Sequence, residues 1–392
     1  MKITNIKSTI LDYPLPVPLK PSWAPGRTFK TTSCLLVEIT TDEGVTGIGA
    51  GPDSGRAGIY TIADLVAPYI LGKDVFGIEQ ISPILRVAAK DGSYPWSVEM
   101  ALWDIIGKVT NQPVYRLWGA FQDTLPAYAS LAEVVPVEEQ IERLYQLKEM
   151  GFRAVKLRLR RPDINEDIRV VQQIRAEFGD SLQLMVDANQ AHVMPCPEPV
   201  GAWTFHDALK VANAMQELDI LWLEEPLPRY GLDQIARLTA ATNIPIAGGE
   251  LHKGLHEYKQ IIDMNCYDII QADAAFSEGI FQLRKVAAMA ELSYKPFIPH
   301  TWSNGIGMGA NLHLAASLPN CPWFEFPIDP PAWTNESRDF MLNEPFQIKK
   351  DGTITVSDKP GLGLEINEDA VQKYTTLTWQ SDKLYIGSNN EF

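Results

Sequence analysis

The sequence predicts an α/β protein in which a (β/α) barrel carries the functional site and an α+β domain precedes it. From Pro126 onward, eight short apolar runs alternate with amphipathic stretches, as strands and helices do in a barrel. Three of these runs end on a carboxylate, at Asp187, Glu224 and Glu250. Ahead of Pro126, apolar and polar residues alternate, which indicates half-buried antiparallel strands. A chain of 392 residues is long enough for two domains.

Residues 1–125 make up the predicted α+β domain. Alternation predicts strands over Ile3–Leu11 and Ser33–Thr40, and helical spacing of apolar residues predicts helices over Ile59–Leu71 and Val98–Thr110. These elements do not repeat as strand–helix units, so they do not belong to the barrel.

Two loops of this domain are candidates for contact with a ligand. The proline-rich stretch Pro14–Arg27 predicts a long loop with Trp23 and Arg27 exposed on it. A loop of this length in a compact domain is usually a lid or a binding loop, and a plain surface excursion is the alternative. Gly51–Arg56 predicts a second mobile loop.

Residues 126–326 carry the predicted barrel. Its strands are predicted at Ala127–Leu131, Ala154–Leu159, Leu182–Val186, Ile220–Leu223, Ile244–Ala247, Asp268–Gln271, Pro296–Ile298 and Trp323–Phe326. The helices predicted between them include Val137–Met150, Ile164–Phe178, Leu232–Ala241 and Phe276–Leu292. The proline-rich stretch from His192 to Gly201 is predicted as an insertion after the third strand, on the mouth side of the barrel.

Residues 327–392 follow a proline-rich break and are predicted to return to the first domain. They contain the alternating run Thr353–Ser357, which an Asp351-Gly352 turn precedes. We interpret that run as part of the first domain and not as an extension of the barrel.

Composition limits the classes of partner. The formal net charge is -15 and the pI is near 4.9, which argues against nucleic acid and anionic membranes as partners. The sequence has neither a 20-residue apolar window nor a signal-peptide core, so no membrane span is expected. Scattered cysteines, at Cys34, Cys196, Cys266 and Cys321, predict reduced thiols and a cytoplasmic location. A small-molecule substrate remains as the expected partner, and an anionic one is possible where a cation inverts the local field.

Three acids at strand ends point to a metal. In a barrel of parallel strands, Asp187, Glu224 and Glu250 come together at the carboxyl-terminal face, where catalytic groups lie. Oxygen ligands without cysteine or clustered histidine suit a hard cation, and Mg²⁺ is the first choice. The alternative is that the three acids cap helices or face solvent.

Other residues at the same face complete a possible catalytic set. Lys156 and Arg158 alternate along the second strand, so both point into the barrel and need anionic partners. The sixth strand ends at Asp273 and the seventh at His300, which places the carboxylate within reach of the imidazole. Such a carboxylate fixes the tautomer of the histidine and raises its basicity. Glu325 adds a further acid from the eighth strand.

Together these motifs resemble the mandelate racemase subgroup of the enolase superfamily. The resemblance rests on Lys156-x-Arg158, Asp187-x-Asn189, Glu224-Glu225-Pro226, Gly249-Glu250, Asp273, His300 and Glu325, and on the helix segment Ala101–Asp104 and the closing run Pro360–Ile366. It covers almost the whole chain. It implies a modified (β/α)₈ barrel of the (β/α)₇β type, with an α+β capping domain formed by the N-terminal segment and the C-terminal tail.

The resemblance also implies roles for individual residues. Asp187, Glu224 and Glu250 would hold one Mg²⁺, and His300, oriented by Asp273, would act as general base or acid. Glu325 and Asn189 would contact the substrate, and the cap loops with Trp23 and Arg27 would close over it. The family further implies a homo-oligomer.

One departure bears on the reaction. Racemase-type members carry a second lysine where this chain has Arg158, and an arginine stays protonated and is a poor base. A single-base route is therefore expected, in which His300 takes the proton α to a carboxylate while Lys156 and the metal stabilise the enediolate. Lys156 as a base is an alternative, if its pKa is depressed.

The expected reaction is dehydration of a sugar acid, an aldonate or aldarate, to a 2-keto-3-deoxy acid. The alternatives are a lactone cycloisomerase or an epimerase that uses the same enolate, and a non-catalytic binding protein that has kept the fold. The segment Pro299–Gly305 is similar to galactarolactone cycloisomerase-like members, which keeps the first alternative open.

Overall fold

The cap is built on an antiparallel sheet. The computed structural model describes residues 1–52, 55–191, 201–381 and 383–386. The strands of the sheet are β1 (Ile3–Leu19), β2 (Phe29–Thr41), β3 (Thr46–Pro52), β12 (Thr375–Gln380) and β13 (Lys383–Ile386). Their order in the sheet is β13-β12-β1-β2-β3, so strands from both ends of the sequence share one sheet.

Helices cover one face of this sheet. They are α1 (Arg56–Tyr60), a π-helical turn (Thr61–Val66), α2 (Ala67–Ile70), α3 (Ile78–Asp91), α4 (Trp96–Thr110) and α5 (Val114–Leu117). Helix α4 packs so closely on β3 that a Cβ at Gly49 would lie 2.0 Å from the carbonyl oxygen of Ser97. Apolar side chains from the strands and helices form a core of their own under the cap, separate from the barrel core.

The proline-rich stretch after Tyr13 is only partly a loop. The prediction of a loop from Pro14 was wrong as far as Leu19, because β1 continues to that residue and still pairs with β2. On its other side β1 pairs with β12 only as far as Leu11. The prolines come after this point, where β1 is an edge strand, so the N–H that each proline lacks removes no hydrogen bond between strands. The loop itself is residues 20–28.

The barrel consists of parallel strands with helices outside. The strands are β4 (Thr124–Ser130), β5 (Ala154–Arg158), β6 (Gln183–Asp187), β7 (Leu223–Glu224), β8 (Ile246–Gly248), β9 (Ile269–Ile270) and β10 (Phe324–Pro327). The helices are α6 (Val137–Met150), α7 (Ile164–Phe178), α8 (Phe205–Glu217), α9 (Leu232–Ala241), α10 (Gly254–Asp263), α11 (Ile280–Leu292) and α12 (Gly305–Ala316), with a 3₁₀ turn at Gly179–Ser181. The predicted fold class, a modified barrel with an α+β cap, is confirmed.

The seventh strand position is reduced to one bridge. Phe297 pairs with Ile270, and the N–H of Ile298 donates to the carbonyl of Ile270 at 2.9 Å. Beyond it, β10 pairs in parallel with β4, Glu325 opposite Tyr128. The strands of the barrel therefore all run in the same direction, and the acids at their carboxyl ends face the same opening.

The segment after β10 contacts both domains. It contains α13 (Asn335–Asp339), β11 (Thr353–Thr355) and α14 (Glu368–Tyr374) before β12. The assignment of Thr353–Ser357 to the first domain was wrong, because β11 pairs antiparallel with the barrel strand β4. The turn at Gly352, with φ +85°, aims β11 at the start of β4, and Ile354 is buried there. The domain boundaries after residues 125 and 326 stay predictions.

Parts of two predicted segments lie outside the described residues. They are residues 53 and 54 of the second cap loop and residues 192–200 of the predicted insertion, which include Cys196. Among the described residues, no helix combines the length and apolar composition needed to cross a bilayer.

Candidate active site

The barrel interior is layered. Alternate strand residues point inward, and the lower layer is an apolar floor that includes Tyr128, Met185, Trp222 and Ile298. Above this floor, the inward positions of β5, β6, β7 and β10 are polar. This second layer contains Lys156, Arg158, Asp187, Glu224 and Glu325, and all five side chains are buried. For Lys156 and Arg158 this inward direction follows from the strand period of two, which fixes which residues share a face.

Lys156 is held between two carboxylates. Its Nζ lies 2.8 Å from each carboxylate oxygen of Glu224 and 2.7 Å from Oε1 of Glu325, and it lies over the ring of Tyr128. Burial lowers the pKa of Lys156, but the two carboxylates outweigh burial, and the pKa lies above its ordinary value. Burial raises the pKa of Glu325, but Lys156, His300 and hydrogen bonds together outweigh burial and lower the pKa to about 2. The geometry therefore favours an ammonium group facing carboxylates.

Arg158 spans the strand ends and the cap. Its guanidinium forms an ion pair with Asp187, and its Nε donates to the carbonyl of Leu131 at 2.5 Å. The guanidinium carbon lies 5.4 Å from the ring centre of Trp23 and 5.9 Å from that of Trp302. Cation–π contacts of this kind stabilise a cation beside aromatic rings. Arg158 thus connects a predicted metal ligand to an aromatic wall.

Asn189 joins the barrel to the cap loop. It adopts φ +45°, and its N–H donates to Oδ1 of Asp187 at 2.7 Å, so the short turn fixes the carboxylate. Its amide Nδ2 donates to Oδ2 of the same residue at 3.0 Å. Its own Oδ1 accepts from Oγ of Ser22 at 2.8 Å, in the loop that carries Trp23. The loop is therefore tied to the strand end that bears Asp187.

Each predicted metal ligand lies against a lysine, arginine or histidine side chain. Within the described residues, no three acidic, histidine or cysteine side chains converge as a coordination cluster. The three carboxylates are found in the pairs Asp187–Arg158, Glu224–Lys156 and Glu250–His300.

The donor set nevertheless fits a hard divalent cation. Six acidic side chains meet at the strand ends, against Lys156, Arg158 and one histidine. One of the six, Glu225, is buried, and its Oε2 finds no hydrogen-bond partner among the described residues. Burial and the carboxylate of Glu250 raise the pKa of Glu225 well above its ordinary value. Excess carboxylate oxygen of this kind is the environment that Mg²⁺ selects.

His300 and Asp273 form the predicted pair. His300 Nδ1 lies 2.8 Å from Oδ2 of Asp273. The other carboxylate oxygen, Oδ1, accepts from the N–H of Ala275 at 2.7 Å and from Nδ2 of Asn311 at 3.0 Å. Because two donors hold Oδ1, the carboxylate cannot rotate freely and Oδ2 stays aimed at the imidazole.

Asn311 was not predicted from the sequence. It is fully buried on α12, and besides Asp273 it bonds the carbonyl of His300 at 3.3 Å and the N–H of Ala274 at 3.0 Å. The helix is fixed at its start, where the side chain of Asn304 accepts two backbone N–H groups. A buried asparagine inside an apolar helix was the available signal, since a buried amide needs partners.

The second imidazole nitrogen faces the cavity. His300 Nε2 lies 3.0 Å from Oε2 of Glu250, and the His300 side chain keeps 9% of its surface exposed, on the side of the opening. Burial lowers the pKa of His300, and the carboxylates of Glu250 and Glu325 raise it more strongly, so the pKa lies above its ordinary value. The edge of the ring that can exchange a proton with a ligand is thus the one beside Glu250.

A cavity of about 230 Å³ opens above these groups. It is lined by Trp23, Tyr94, Arg158, Asn189, Glu250, Leu251, Phe276, His300 and Trp302. The predicted contact residue Trp23 therefore lies at the cavity. Arg27, four residues further along the same loop, is not among the described residues that line it, and its N–H donates to the carbonyl of Ala24 at 3.0 Å.

Four lining residues were not predicted. Tyr94 comes from the connection between α3 and α4, and Leu251 follows Glu250. The sequence predicts a helix from Phe276 onward, but α11 begins at Ile280 and the turn before it presents Phe276 to the cavity. Trp302 lies in the segment Pro299–Gly305, on which the likeness to cycloisomerases rests.

Comparison with known families covers both parts of the chain. Residues 7–119 match the mandelate racemase / muconate lactonizing enzyme N-terminal domain. Residues 137–370 match the enolase C-terminal domain-like family.

Individual relatives cover nearly the full length. The chain is 30% identical to L-talarate/galactarate dehydratase of Salmonella typhimurium, over 97% of this chain and 93% of that protein. It is 29% identical to D-galactarolactone cycloisomerase of Agrobacterium fabrum, over 95% of this chain and 99% of that protein. Among solved structures, L-talarate dehydratase from Polaromonas sp., complexed with Mg and L-glucarate, superposes with a TM-score of 0.83 at 26% identity, covering 97% of this chain and 98% of that one.

These relatives are a sugar-acid dehydratase and a sugar-lactone cycloisomerase, and both are enzymes. Their similarity to this chain extends over both the cap and the barrel. The motifs that carried the resemblance lie together at the strand ends of one barrel. The chain is an enzyme, and it belongs to the mandelate racemase subgroup of the enolase superfamily.

Proposed function

We propose that the chain removes the proton α to the carboxylate of a sugar acid, an aldonate or aldarate, and then expels the oxygen on the β-carbon. With a β-hydroxyl this is dehydration to a 2-keto-3-deoxy acid. The observation that carries the proposal is the His300–Asp273 pair: Nε2 of His300 faces the cavity, which Arg158 also lines.

His300 does both proton transfers in this scheme. Its Nε2 takes the α-proton while Asp273, held by Asn311, keeps the proton on Nδ1 and stabilises the imidazolium. The imidazolium then gives the proton to the departing β-oxygen. For a hydroxyl leaving group, the C–O bond breaks, water leaves, and the resulting enol becomes the 2-keto acid. One base therefore suffices for dehydration.

The carboxylate end of the substrate would lie on the opposite side. Lys156 and Arg158, which are paired with Glu325 and Asp187, would supply positive charge there, and Glu325 would hydrogen-bond a carboxylate oxygen of the substrate. Asp187, Glu224 and Glu250 would hold Mg²⁺, which supplies charge stabilisation of the substrate carboxylate as the α-proton leaves. Asn189 would contact the same end, since it lies between Arg158 and the cap loop.

A cycloisomerase is the second candidate. If the β-oxygen is part of a ring, the same two proton transfers break the ring C–O bond, and no atom is lost. The relationship to a galactarolactone cycloisomerase and the aromatic lining of the cavity favour this variant. Racemisation is less well supported, because it needs a base on each face of the α-carbon and Arg158 is a poor one.

The test is a screen of aldonates, aldarates and their lactones with Mg²⁺, scoring α-keto acid and the mass of the product. A product about 18 mass units lighter than the substrate indicates dehydration, and an isomeric keto acid indicates ring opening. His300→Asn should abolish either reaction. If no acid reacts and none exchanges its α-proton in D₂O, the proposal is wrong. The cytoplasmic location and a homo-oligomeric state stay predictions.

A further inference from the structure

A second cleft, which we call the seam cleft, lies at the junction of the cap and the barrel. Its volume is about 380 Å³, and none of the described residues that line it has a role in the proposed reaction. The cap side consists of α3 and the residues that follow it, and the barrel side consists of residues 253–254 and 276–278. Tyr94 and Phe276 line both this cleft and the catalytic cavity, and their rings form an edge-to-face pair at 5.7 Å and 75°. The seam cleft is therefore a neighbour of the catalytic cavity and not a part of it.

Positive charge dominates the described lining of the seam cleft. Three cations line it from two sides: Arg86 and Lys90 of α3, and Lys253 immediately before α10. One carboxylate stands against them, that of the buried Glu278, whose Oε1 lies 2.9 Å from Nε of Arg86. Neither lysine forms an ion pair with an acid among the described residues, and Nζ of Lys253 lies over the ring of Tyr94 at 4.8 Å. Three cations and one carboxylate give a formal charge of +2, in a chain whose net charge is -15.

Uncharged donors at the cleft suit the same kind of ligand. Trp96 lines the cleft with 4% of its surface exposed, and its Nε1 has no hydrogen-bond partner among the described residues. A buried donor normally has a partner, and a bound ligand or water can supply one. Helix α10 begins at the cleft with Gly254 and has no side-chain cap, and the N-terminus of a helix attracts negative charge. Glu257, the acid of its first turn, accepts from the N–H of Lys253 at 2.9 Å and is not among the described lining residues. The free donors are therefore arranged for an anion.

The amount of positive charge selects the class of anion. A single carboxylate would neutralise only half of the formal charge of the lining. A phosphate group carries about 1.5–2 negative charges at pH 7 and has three strong acceptor oxygens. Arginine and lysine side chains both bind phosphate oxygens through charge-assisted hydrogen bonds. The aromatic side chains of Tyr94, Trp96 and Phe276 also leave a carbon surface on which an organic group attached to the phosphate can pack.

We propose that the seam cleft binds a phosphate group, free or carried on a small organic molecule, at a site separate from the catalytic cavity. The phosphate lies between Arg86, Lys90 and Lys253 and accepts a hydrogen bond from Nε1 of Trp96. Because these donors belong to the cap on one side and to the barrel on the other, the bound anion joins the two domains. It also lies beside Phe276, so it reaches the edge of the catalytic cavity without entering it. The site does not depend on which reaction the enzyme performs.

The test follows the indole N–H of Trp96 by NMR. The full chain is labelled with ¹⁵N at its tryptophan indoles and kept free of Mg²⁺, so that phosphate does not bind through the metal. The signals of Trp96 and Trp302 are identified by their loss in Trp96→Phe and Trp302→Phe. Inorganic phosphate is titrated at constant ionic strength against chloride, and we expect a saturable shift of the Trp96 signal, because the indole gains an acceptor. Absence of a saturable shift at Trp96, or a shift confined to Trp302 at the catalytic cavity, would overturn the inference.

A second titration, with phenyl phosphate, distinguishes the two sources of the phosphate group. Its aromatic body can pack on the rings of the cleft, whereas inorganic phosphate has no such body. Tighter binding of phenyl phosphate, measured as the Kd from the Trp96 shift, identifies an organic phosphate as the ligand. Equal or weaker binding identifies free phosphate.

Substitution of the two lysines tests the charge of the cleft. The double variant Lys90→Gln/Lys253→Gln removes two of the three cations and keeps the pair of Arg86 with Glu278, so the buried carboxylate retains its partner. We expect the Kd for phosphate to rise about 5- to 10-fold, because each exposed lysine contributes a modest electrostatic attraction. Lys259→Gln is the matched control, since Lys259 lies on α10, is 61% exposed and is not among the described lining residues. The control should keep the original Kd. An unchanged Kd in the double variant, or an equal rise in the control, would also overturn the inference.

Discussion

Replacing Asn311 by alanine probes how the His300–Asp273 pair is held. The amide makes one bond to the Asp273 carboxylate, at 3.0 Å, and accepts one from the N–H of Ala274, also at 3.0 Å. Loss of a bond to a charged group costs about 1.5–3 kcal/mol, and a buried N–H left without a partner costs about 1–3 kcal/mol. Water that enters the vacated space recovers part of this, so we expect the free energy of unfolding to fall by about 2–4 kcal/mol.

The effect on the reaction should exceed that of a stability loss alone. With one of its two fixing donors gone, Oδ1 of Asp273 can rotate, and Oδ2 no longer stays aimed at Nδ1 of His300. Loss of such an orienting partner typically lowers activity by about 10- to 100-fold. We expect a decrease of that size in the rate of α-proton exchange at saturating substrate, with little change in KM, because Asn311 does not line the cavity.

The assay combines urea unfolding with α-proton exchange in D₂O, followed by NMR at a temperature where both proteins are folded. The control is Asn320→Ala, which removes an amide that bridges the carbonyls of Ala287 and Lys295 away from the pair. The control should lose stability and keep its exchange rate. If Asn311→Ala loses stability and exchanges at the original rate, the positioning role of Asn311 is refuted. The downfield proton signal of His300 Nδ1–H gives an independent readout, and it should weaken or shift only in Asn311→Ala.

Two further outcomes are expected. Glu99 lies at the contact of α4 with α11, and burial raises its pKa to about 7. This folded-state pKa is above the unfolded value of 4.5, so the free energy of unfolding falls as the pH rises from 4.5 to 7. The free energy of unfolding falls by about 3 kcal/mol over this range. The midpoints of urea unfolding at pH 5 and pH 8 should therefore differ less in Glu99→Gln than in the original protein. An equal pH dependence in the two proteins would contradict this. Mg²⁺ at about 100 times its Kd should stabilise the fold by about 2.7 kcal/mol, measured as a rise in Tm that Asp187→Asn largely removes. The exposed Asp263→Asn serves as the control, and an equal rise in both variants would show that Mg²⁺ binds elsewhere.

Much of the barrel could be predicted because two local rules meet there. An apolar run marks a buried strand, and the residue that ends it must lie at the carboxyl-terminal face, which fixed the positions of Asp187, Glu224 and His300. Alternation along β5 fixed the inward direction of Lys156 and Arg158. These inferences need only the period of a strand and the direction of the chain, and both are local properties of the sequence.

The features that were missed depend on distant parts of the chain. Pro14–Leu19 forms a strand because β2 pairs with it on one side. It tolerates prolines because β12, some 360 residues later, leaves the other side unpaired after Leu11. The pairing of β11 with β4 depends on where the Gly352 turn directs the chain. The aromatic lining combines Tyr94 of the cap with Phe276 and Trp302 of the barrel loops, and no spacing in the sequence relates them.

The pairing of β1 with β12 has a consequence for synthesis of the protein. Ser8 lies opposite Trp379, so β1 cannot complete its pairing with β12 until residue 380 has emerged from the ribosome. The barrel strands and the first three cap strands are complete long before then. During that interval β1 presents an open edge, which is the kind of surface that pairs with other chains. Slower translation anywhere between β3 and β12 should therefore prolong this open edge and increase aggregation.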